Sequence, residues 1–442
     1  MKKLIALVGL LLSCPALIMA QEAEAAAPAL NSGNTAWILA ATMLVMLMTI
    51  PGLAFFYGGL VRRKNVLSVM MQCVVLTAVI TIEWIVYGYT AVFGTSLMDT
   101  WFGGIFGGFD KFFLYGIQID TLTTGDIPEL LFVLFQCKFA VITPALIVGA
   151  FAERIKFSGF LLFSVLWSIF VYNPMAHWVW GGGWMQEMGA IDFAGGTVVH
   201  INAGVSALVM ALLLGRRQGY GSSPITPHNV PFVVLGTALL WLGWFGFNAG
   251  SGLAADGLAA NAFLVTTLAT AVAAATWMAL EWIINKKPTV VGICTGAVAG
   301  LVAITPAAGT VDAMGSLFIG LISSCICYTF VAYVKPKLKY DDSLDAFGVH
   351  GVGGFVGAIL TGVFATPIIT GVDGVKGALY GDWHQLWVQV IVNLAAAAFA
   401  AIMTFILFKI VDKTIGLRVS EKEESIGLDI SQHGEIAYSE GE

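Results

Sequence analysis

Long apolar runs separated by short polar segments dominate the pattern of this chain. A helix needs roughly 20 apolar residues to cross a bilayer, and the chain beyond its first segment offers eleven runs near that length. We therefore predict an all-α membrane protein with eleven transmembrane helices. Their predicted bounds are 35–61, 66–92, 129–151, 158–175, 193–215, 230–252, 260–284, 289–307, 313–334, 346–367 and 385–411.

Composition supports the membrane prediction and removes several other classes of protein. Charged residues make up 11% of the chain and hydrophobic residues 58%, whereas soluble domains carry about 25% charged residues. No basic tract interleaved with aromatic residues suggests nucleic acid as a partner. The cysteines show neither a disulfide framework nor a metal-binding spacing, so we expect no metal and no cofactor. They are Cys14, Cys73, Cys137, Cys294, Cys325 and Cys327, the last five in apolar runs where they would pack.

The first residues, 1–20, have the pattern of a secretory signal peptide. Two lysines precede a short apolar core, and Ile18-Met19-Ala20 offers a cleavage site. An alternative is a lipoprotein processing site that ends at Cys14. Removal of the signal would leave a periplasmic N-terminal segment at 21–34.

Positive charge is distributed unevenly between the loops on the two sides of the predicted bundle. The loops and tail on one side carry sixteen lysines and arginines, whereas the other side carries only Lys111 and Lys376. Loops rich in lysine and arginine stay in the cytoplasm. We therefore predict a multi-pass protein of the bacterial inner membrane, with its N-terminus outside and a cytoplasmic C-terminal tail at 412–442.

One motif occurs twice, each time at the start of a predicted span. Both copies read D-x6-V-H-x3-G, at Asp192–Gly204 and Asp342–Gly354. Five spans separate the copies, so the two helices would run in opposite directions, as in the inverted repeats of transporters. The predicted repeats cover 35–215 and 230–367, and the eleventh helix, 385–411, lies outside them as a peripheral helix.

The histidines of this motif, His200 and His350, are unusual residues for a membrane interior. An ionisable side chain in a bilayer is costly, which makes it a candidate functional residue. Two neutral imidazoles can share one proton, because each ring offers a donor and an acceptor. Such a pair would form a polar line through an apolar pore. The alternative is a pair of packing histidines with satisfied hydrogen bonds.

Six stretches match one known family in order along the chain. They are V-G-A-F-A-E-R at 148–154, N-P at 173–174, V-W-G-G-G at 179–183, D-F-A-G-G-T-V-V-H-I-N-A-G at 192–204, W-F-G-F-N-A-G-S at 244–251 and D-D-S-L-D at 341–345. Together they resemble the Amt/Mep/Rh ammonium transporter family, and its bacterial Amt branch in particular. The resemblance extends over nearly the whole chain after the signal segment and includes the tail.

The resemblance implies an ammonium transporter or channel that forms a homotrimer with one pore per subunit. It also implies that a PII-family nitrogen regulator binds the tail and the inner mouth. Eight residues receive roles from it: Trp180, Ser251 and Phe135 as an outer ammonium site, Phe139 and Phe247 as a gate, and His200, His350 and Trp244 as pore residues. Without the resemblance, an interfacial Trp would anchor the protein in the membrane, and the spaced Phe residues would be packing.

A dry pore determines the chemistry that such a transporter can use. Burial of a bare charge costs on the order of tens of kcal/mol in the idealised limit. A route that binds ammonium, removes its proton and conducts neutral ammonia avoids most of this cost. It also rejects K⁺, which has no proton to lose, and it would accept methylammonium as an analogue.

Two other classes of function remain as alternatives. One is an ammonium sensor or regulatory scaffold with little transport, in which the acidic tail serves a partner. The other is a membrane enzyme, but no HExxH, GxSxG or paired-carboxylate motif supports it.

Asp192 precedes His200 by about 12 Å of helix, too far for contact within that helix. We expect Asp192 to cap the start of its span, with electrostatic support of an outer cation as the alternative. Asp342 would play the equivalent part on the inner side.

The remaining titratable residues are expected to be solvated or structural. His177, His228 and His384 lie near predicted loops, where water would reach them. Glu83 and Lys138 lie at equal depth in neighbouring predicted spans, so we predict an ion pair between them. The alternative is that each finds a separate partner.

Overall fold

Eleven apolar helices form the body of the part of the chain that the structure describes. The computed structural model describes residues 29–100, 102–123, 125–372 and 374–438. In order, the helices are α1 Ser32–Leu60, α2 Arg63–Phe93, α3 Glu129–Phe151, α4 Phe157–Glu187, α5 Gly196–Leu214, α6 Val230–Gly250, α7 Gly257–Asn285, α8 Val290–Ile304, α9 Ala313–Leu338, α10 Phe347–Phe364 and α11 Trp383–Thr414. The chain is therefore an all-helical multi-pass membrane protein. The predicted signal segment, 1–20, lies outside the described residues.

Ten of these helices are long and apolar enough to cross a membrane. The exception is α8, which corresponds to the predicted span at 289–307 but has only 15 residues. Helix length thus supports ten crossings among the described residues, and an eleventh crossing by α8 stays a prediction. The other clear difference is in α4, predicted to end at 175. It continues past Pro174, because this proline stands in the first turn of a helical segment, where the missing N–H is tolerated.

Polar side chains mark where several helices begin. Each stands immediately before a helix and accepts a hydrogen bond from a backbone N–H of the first turn, which would otherwise have no partner. These capping residues are Asn31, Asn229, Asp256, Thr289, Asp312 and Asp382.

The two copies of the repeated motif pack directly against each other. Gly204 lies on the backbone of Gly351, and a Cβ added to Gly354 would lie 2.8 Å from the Cβ of His200. Larger residues at these two glycines would therefore push the segments apart. Both histidines lie in wide, π-helical turns, a geometry that is frequent at functional sites; the turns span Gly196–Ile201 and Phe347–Gly351.

The tail packs against one end of the helical bundle. Arg418 pairs with Glu424 at 2.9 Å and donates to the carbonyl oxygen of Arg216 at 2.6 Å. Asp429 accepts a hydrogen bond from the backbone N–H of Ser68 at 2.8 Å. We call this end the tail face; it is formed by residues 415–438 and the loops at 61–62, 152–156 and 215–229.

A buried charge network supports the tail face. Arg217 pairs with Asp341 at 2.8 Å and with Glu153 at 3.2 Å, and Arg62 pairs with Glu153 at 2.7 Å. Burial alone would raise the pKa of both carboxyls. The charge and hydrogen bonds of Arg217, joined at Glu153 by those of Arg62, outweigh burial and lower the pKa of each. Both acids therefore stay ionised although they are buried.

We expect acid to weaken this network. When folding lowers the pKa of a carboxyl, the ionised group stabilises the fold at pH values above its pKa in the unfolded state, which is near 4. That stabilisation is lost as the pH falls through the pKa of the folded state. Thermal unfolding of the detergent-solubilised protein from about pH 6 to about pH 3 measures the loss. The Arg217→Gln protein should be less stable at neutral pH and lose less on acidification. An equal acid-induced loss in both proteins would contradict this account.

The predicted ion pair between Glu83 and Lys138 is wrong. Glu83 accepts hydrogen bonds from Asn173 at 2.8 Å and from Ser168 at 3.0 Å, both on α4. No ion pair within 4.0 Å involves Lys138 in the described part of the chain. The two charges do lie on adjacent helices, but the rotation of α2 directs Glu83 to the neutral donors of α4. Equal depth along two helices does not determine that rotation.

Two of the three histidines expected to be solvated are packed instead. His177 is fully buried, and its ring nitrogens each lie 2.7 Å from a carbonyl oxygen, of Val92 and of Gly103. His228 is half-buried against the hydroxyl of Tyr438 at 3.0 Å. The prediction failed because the segment after α2 and the tail fold back over these sites. His384 is exposed.

Candidate functional site

A series of aromatic side chains leads into the bundle from the end opposite the tail face. The rings of Phe135 and Phe139, one turn apart on α3, have centroids 5.0 Å apart. Trp180, near the end of α4, meets Phe139 edge-on at 5.9 Å. Phe139 and Phe247 lie 4.4 Å apart, and both are buried. These two rings therefore close the path between the outer aromatic side chains and the interior.

Polar groups at the outer end of this series are arranged to receive a cation. The Ser251 hydroxyl donates to the carbonyl oxygen of Phe247 at 2.8 Å, which leaves its lone pairs free to accept. The indole Nε1 of Trp180 donates to the carbonyl oxygen of Asp192 at 2.8 Å and fixes the ring. Both side chains are half-buried. An indole face attracts a cation by about 0.5–2 kcal/mol, so this rim can hold a small cation with N–H donors.

Asp192 caps the turn that carries His200. Its two carboxylate oxygens accept four backbone N–H groups at 2.5–3.0 Å. Gly195, immediately before the turn, has a φ of +117°, a left-handed conformation that favours glycine. Burial raises the pKa of the Asp192 carboxyl, and hydrogen bonds from the turn oppose that rise. The four backbone N–H groups that bond the Asp192 carboxylate are those of Gly195, Gly196, Thr197 and Val198.

Asp342 holds the corresponding place before His350. Its carboxylate accepts the backbone N–H groups of Ala346 at 3.1 Å and Phe347 at 2.8 Å. Burial raises the pKa of this carboxyl. The two copies of the motif thus use the same kind of cap, with four donors at the first and two at the second.

His200 and His350 meet in the interior of the bundle. Their Nδ1 atoms lie 3.3 Å apart, and their rings are stacked with an interplanar angle of 18°. Trp244 also stacks on His200, with centroids 5.4 Å apart. Within the described part of the chain, the buried Nε2 of His200 has no hydrogen-bond partner. Buried polar atoms are almost always paired, so this nitrogen is available to a ligand.

A small apolar void adjoins the histidine pair. Its volume is about 10 Å³, roughly the room for one water-sized molecule. Both histidines, Trp244 and Phe247 line it, and the rest of its wall is apolar: Met48, Leu53, Phe56, Ile142, Leu146, Val199, Leu240 and Val298. His350 also lines a larger cavity of about 360 Å³ that opens at the tail face. The histidine pair therefore stands between the closed aromatic side and the open tail side.

All eight residues that the sequence analysis assigned to the path lie within this one series of contacts. Sequence reasoning missed two others. Thr305 accepts the indole N–H of Trp244 at 2.8 Å and orients that ring, but a lone threonine in an apolar helix gives no signal. Asp345 lines the tail-face cavity, and its place in the D-D-S-L-D stretch could have indicated it.

Comparison with known proteins identifies the family of this chain. The profile of the Ammonium Transporter Family matches residues 36–438. Ammonium transporters of Aquifex aeolicus and Bacillus subtilis are 51% and 49% identical, covering 98% and 93% of this chain and 98% and 100% of theirs. These relatives are named as transporters and not as enzymes.

Solved structures show the same fold. The crystal structure of Saccharomyces cerevisiae Mep2 superposes with a TM-score of 0.85 at 35% identity, covering 93% of this chain and 92% of that one. A sensor Amt protein superposes with a TM-score of 0.83 at 30% identity, covering 91% and 98%. On the profile match, the identities and the shared fold, this chain belongs to the Ammonium Transporter Family.

Proposed function

We propose that this protein transports ammonium by releasing its proton and conducting ammonia past the histidine pair. One observation carries the proposal: the unpartnered Nε2 of His200 lies beside an apolar void with room for about one water-sized molecule. An ammonia molecule there would find one hydrogen-bond partner and no water. A bare cation in the same void would be largely desolvated, at a high free-energy cost.

The first step is binding of ammonium at the outer rim. Trp180 and Phe135 offer aromatic surfaces, and the Ser251 oxygen accepts a hydrogen bond. Phe139 and Phe247 must then separate, because their buried rings close the path below. A cation that keeps its charge would pay a desolvation cost between these rings, whereas neutral ammonia passes without that cost.

The second step is transfer past the histidines. Each imidazole can donate at one nitrogen and accept at the other, so the pair can hydrogen-bond ammonia and move a proton between its rings. K⁺ cannot follow the same route, since it has no proton to release. The proton that ammonium gives up passes separately to an acceptor nitrogen of the histidine pair and is relayed across it. Ammonia takes up a proton again in the open cavity at the tail face, so one positive charge crosses with each ammonia.

Loss of the outer site should weaken binding more than turnover. For Trp180→Leu or Ser251→Ala, we expect the apparent KM for methylammonium to rise about 2- to 30-fold, from the loss of about 0.5–2 kcal/mol of cation binding. The maximal rate should change less, because the gate and histidines are intact. Uptake of labelled methylammonium into proteoliposomes measures both constants, with the exposed Trp383→Leu as matched control. A fall in maximal rate at unchanged KM would contradict the assignment.

The distribution of charge supports a cytoplasmic tail face. The basic loops and tail would lie inside and the N-terminus outside, in the inner membrane of a bacterium. This topology requires α8 to cross the membrane. Lys286 and Lys287 lie before α8, and Lys337 lies near the end of α9. These basic segments lie on the same side of the membrane only if both α8 and α9 cross it. Labelling of single cysteines at 287 and 376 from each side of the membrane tests this; labelling of both from one side would overturn it.

The proposed assembly and regulation rest on the resemblance to the family. The proposal includes a homotrimer with one pore per subunit, and a monomer by mass measurement in mild detergent would contradict it. It also includes a PII-family regulator at the tail face, where the packed tail and loops offer a shaped surface. Membranes that contain the protein truncated at 414 should retain less PII than membranes that contain the full-length protein. Unchanged retention would show that the tail does not contribute to PII binding.

A sensor with little transport is the second candidate. The likeness to a sensor Amt protein at 30% identity favours its consideration, as does the tight packing of the tail. A transporter should give uptake into proteoliposomes well above that of empty liposomes. A sensor with little transport should give uptake close to that control.

A further inference from the structure

The tail-face cavity contains a charge pair that the proposed path does not use. Lys335, near the end of α9, places its Nζ 2.6 Å from Oδ1 of Asp345. Both side chains line the cavity that His350 reaches from the pore side. They are partly exposed, at 16% and 27%, so solutes in the cavity can meet them.

Asp345 is the only carboxylate among the described residues that line this cavity. The neighbouring acids are occupied elsewhere. Glu153 and Asp341 are buried and paired with Arg217. Asp342 is fully buried and caps the turn before His350. A cation that forms in the cavity therefore has one anionic group to bind.

Backbone geometry holds Asp345 in position. Its φ of +62° is in the left-handed region, which few non-glycine residues adopt. Its carbonyl oxygen accepts the N–H of Val349 at 2.9 Å, in the turn that leads to His350. The carboxylate is thus fixed near the point where the pore opens into the cavity.

The lysine ammonium is chemically close to the transported ion. Both carry a unit positive charge on a nitrogen with N–H donors. Where one of them sits beside Asp345, the other gains little attraction. An unpaired carboxylate in a confined cavity would attract small cations. A transporter that releases ammonium here must avoid retaining it.

We propose that Lys335 is a tethered substitute for ammonium, which occupies the cation position at Asp345 so that newly formed ammonium leaves the cavity. Lys335 is thus a positioning residue that acts through Asp345 and sets the rate of release. This inference rests on the proposed direction of ammonium transport. Arg217 cannot serve the same purpose, since its guanidinium is already held by two carboxylates.

Removal of the lysine charge should create a cation trap, so we expect Lys335→Met to transport methylammonium more slowly than the wild type. In inside-out membrane vesicles, which expose the tail face, Cs⁺ should inhibit methylammonium transport by Lys335→Met at concentrations at least about tenfold lower than for the wild type. Lys335→Arg should behave like the wild type. Lys337→Met is the matched control and should also be unaffected, because Lys337 is exposed on the same helix and forms no ion pair with any described residue.

The double variant separates this effect from a structural one. In Lys335→Met/Asp345→Asn the unpaired carboxylate is gone, so Cs⁺ sensitivity should disappear and the transport rate should recover. If Lys335→Met folds poorly, Lys335→Cys treated with an aminoethyl methanethiosulfonate offers a second measurement. The reagent restores a tethered cation and should remove the Cs⁺ sensitivity of the untreated variant.

Two results would overturn the inference. One is wild-type Cs⁺ sensitivity in both Lys335→Met and untreated Lys335→Cys. The other is a double variant as slow as Lys335→Met, which would show that the pair only holds α9 against α10. Absence of methylammonium transport by the wild type would instead reject the proposed function, so the two failures can be told apart.

Discussion

Replacing His350 with leucine is expected to lower ammonium-dependent transport by about 10- to 100-fold. His350 and His200 are the polar side chains that line the void. Loss of a hydrogen-bond partner for a desolvated polar molecule costs about 1–3 kcal/mol, and about 1.4 kcal/mol corresponds to a factor of ten in rate. The same change removes one member of the pair that can move a proton.

The measurement is the current and methylammonium uptake of proteoliposomes that contain purified protein. His384→Leu is the matched control, since His384 is exposed and lies away from the void. Elution as a single species on size exclusion would show that His350→Leu folds. A folded His350→Leu protein with wild-type current would contradict a functional role for the pair.

Substitution of Asp192 by alanine is expected to destabilise the protein severely. The carboxylate accepts four backbone N–H groups in a buried turn. Each buried donor left without a partner costs about 1–3 kcal/mol, so the total loss should exceed about 4 kcal/mol. This is a large share of the roughly 5–15 kcal/mol by which proteins are stable. Thermal unfolding in detergent should show a lower Tm and little transport.

Asp192→Asn distinguishes capping from electrostatic support of the outer cation. Asparagine keeps one carbonyl oxygen that can accept two of the four N–H groups, but it carries no charge. If capping dominates, the variant should lose part of its stability and keep its apparent KM. A stable Asp192→Asn protein with a strongly raised KM would favour the electrostatic role.

The sequence predicted those parts of the fold that depend on local patterns. Apolar runs located the helices, and the repeated D-x6-V-H-x3-G motif predicted contact between His200 and His350. Their Nδ1 atoms are 3.3 Å apart. The residues Trp180, Phe135, Phe139 and Phe247 were placed by resemblance, since spacing alone also fits packing.

The errors concern contacts that depend on helix rotation and on distant segments. Glu83 bonds Ser168 and Asn173, because α2 turns that face toward α4 and not toward Lys138. The burial of His177 results from a segment that lies 74 residues earlier and places the Gly103 carbonyl against the ring. Hydropathy reports how deep a residue lies, but it does not report which neighbour it faces.

The most direct test of the central claim is a comparison of ammonium and K⁺ currents. The claim is that ammonia, and not a bare cation, crosses the void, while the histidine pair relays the released proton across separately. In proteoliposomes, an inward ammonium gradient should produce a current above that of empty liposomes, while an equal K⁺ gradient should produce none. A K⁺ current of similar size would contradict the account, since it would show that an ion without a removable proton passes the same void.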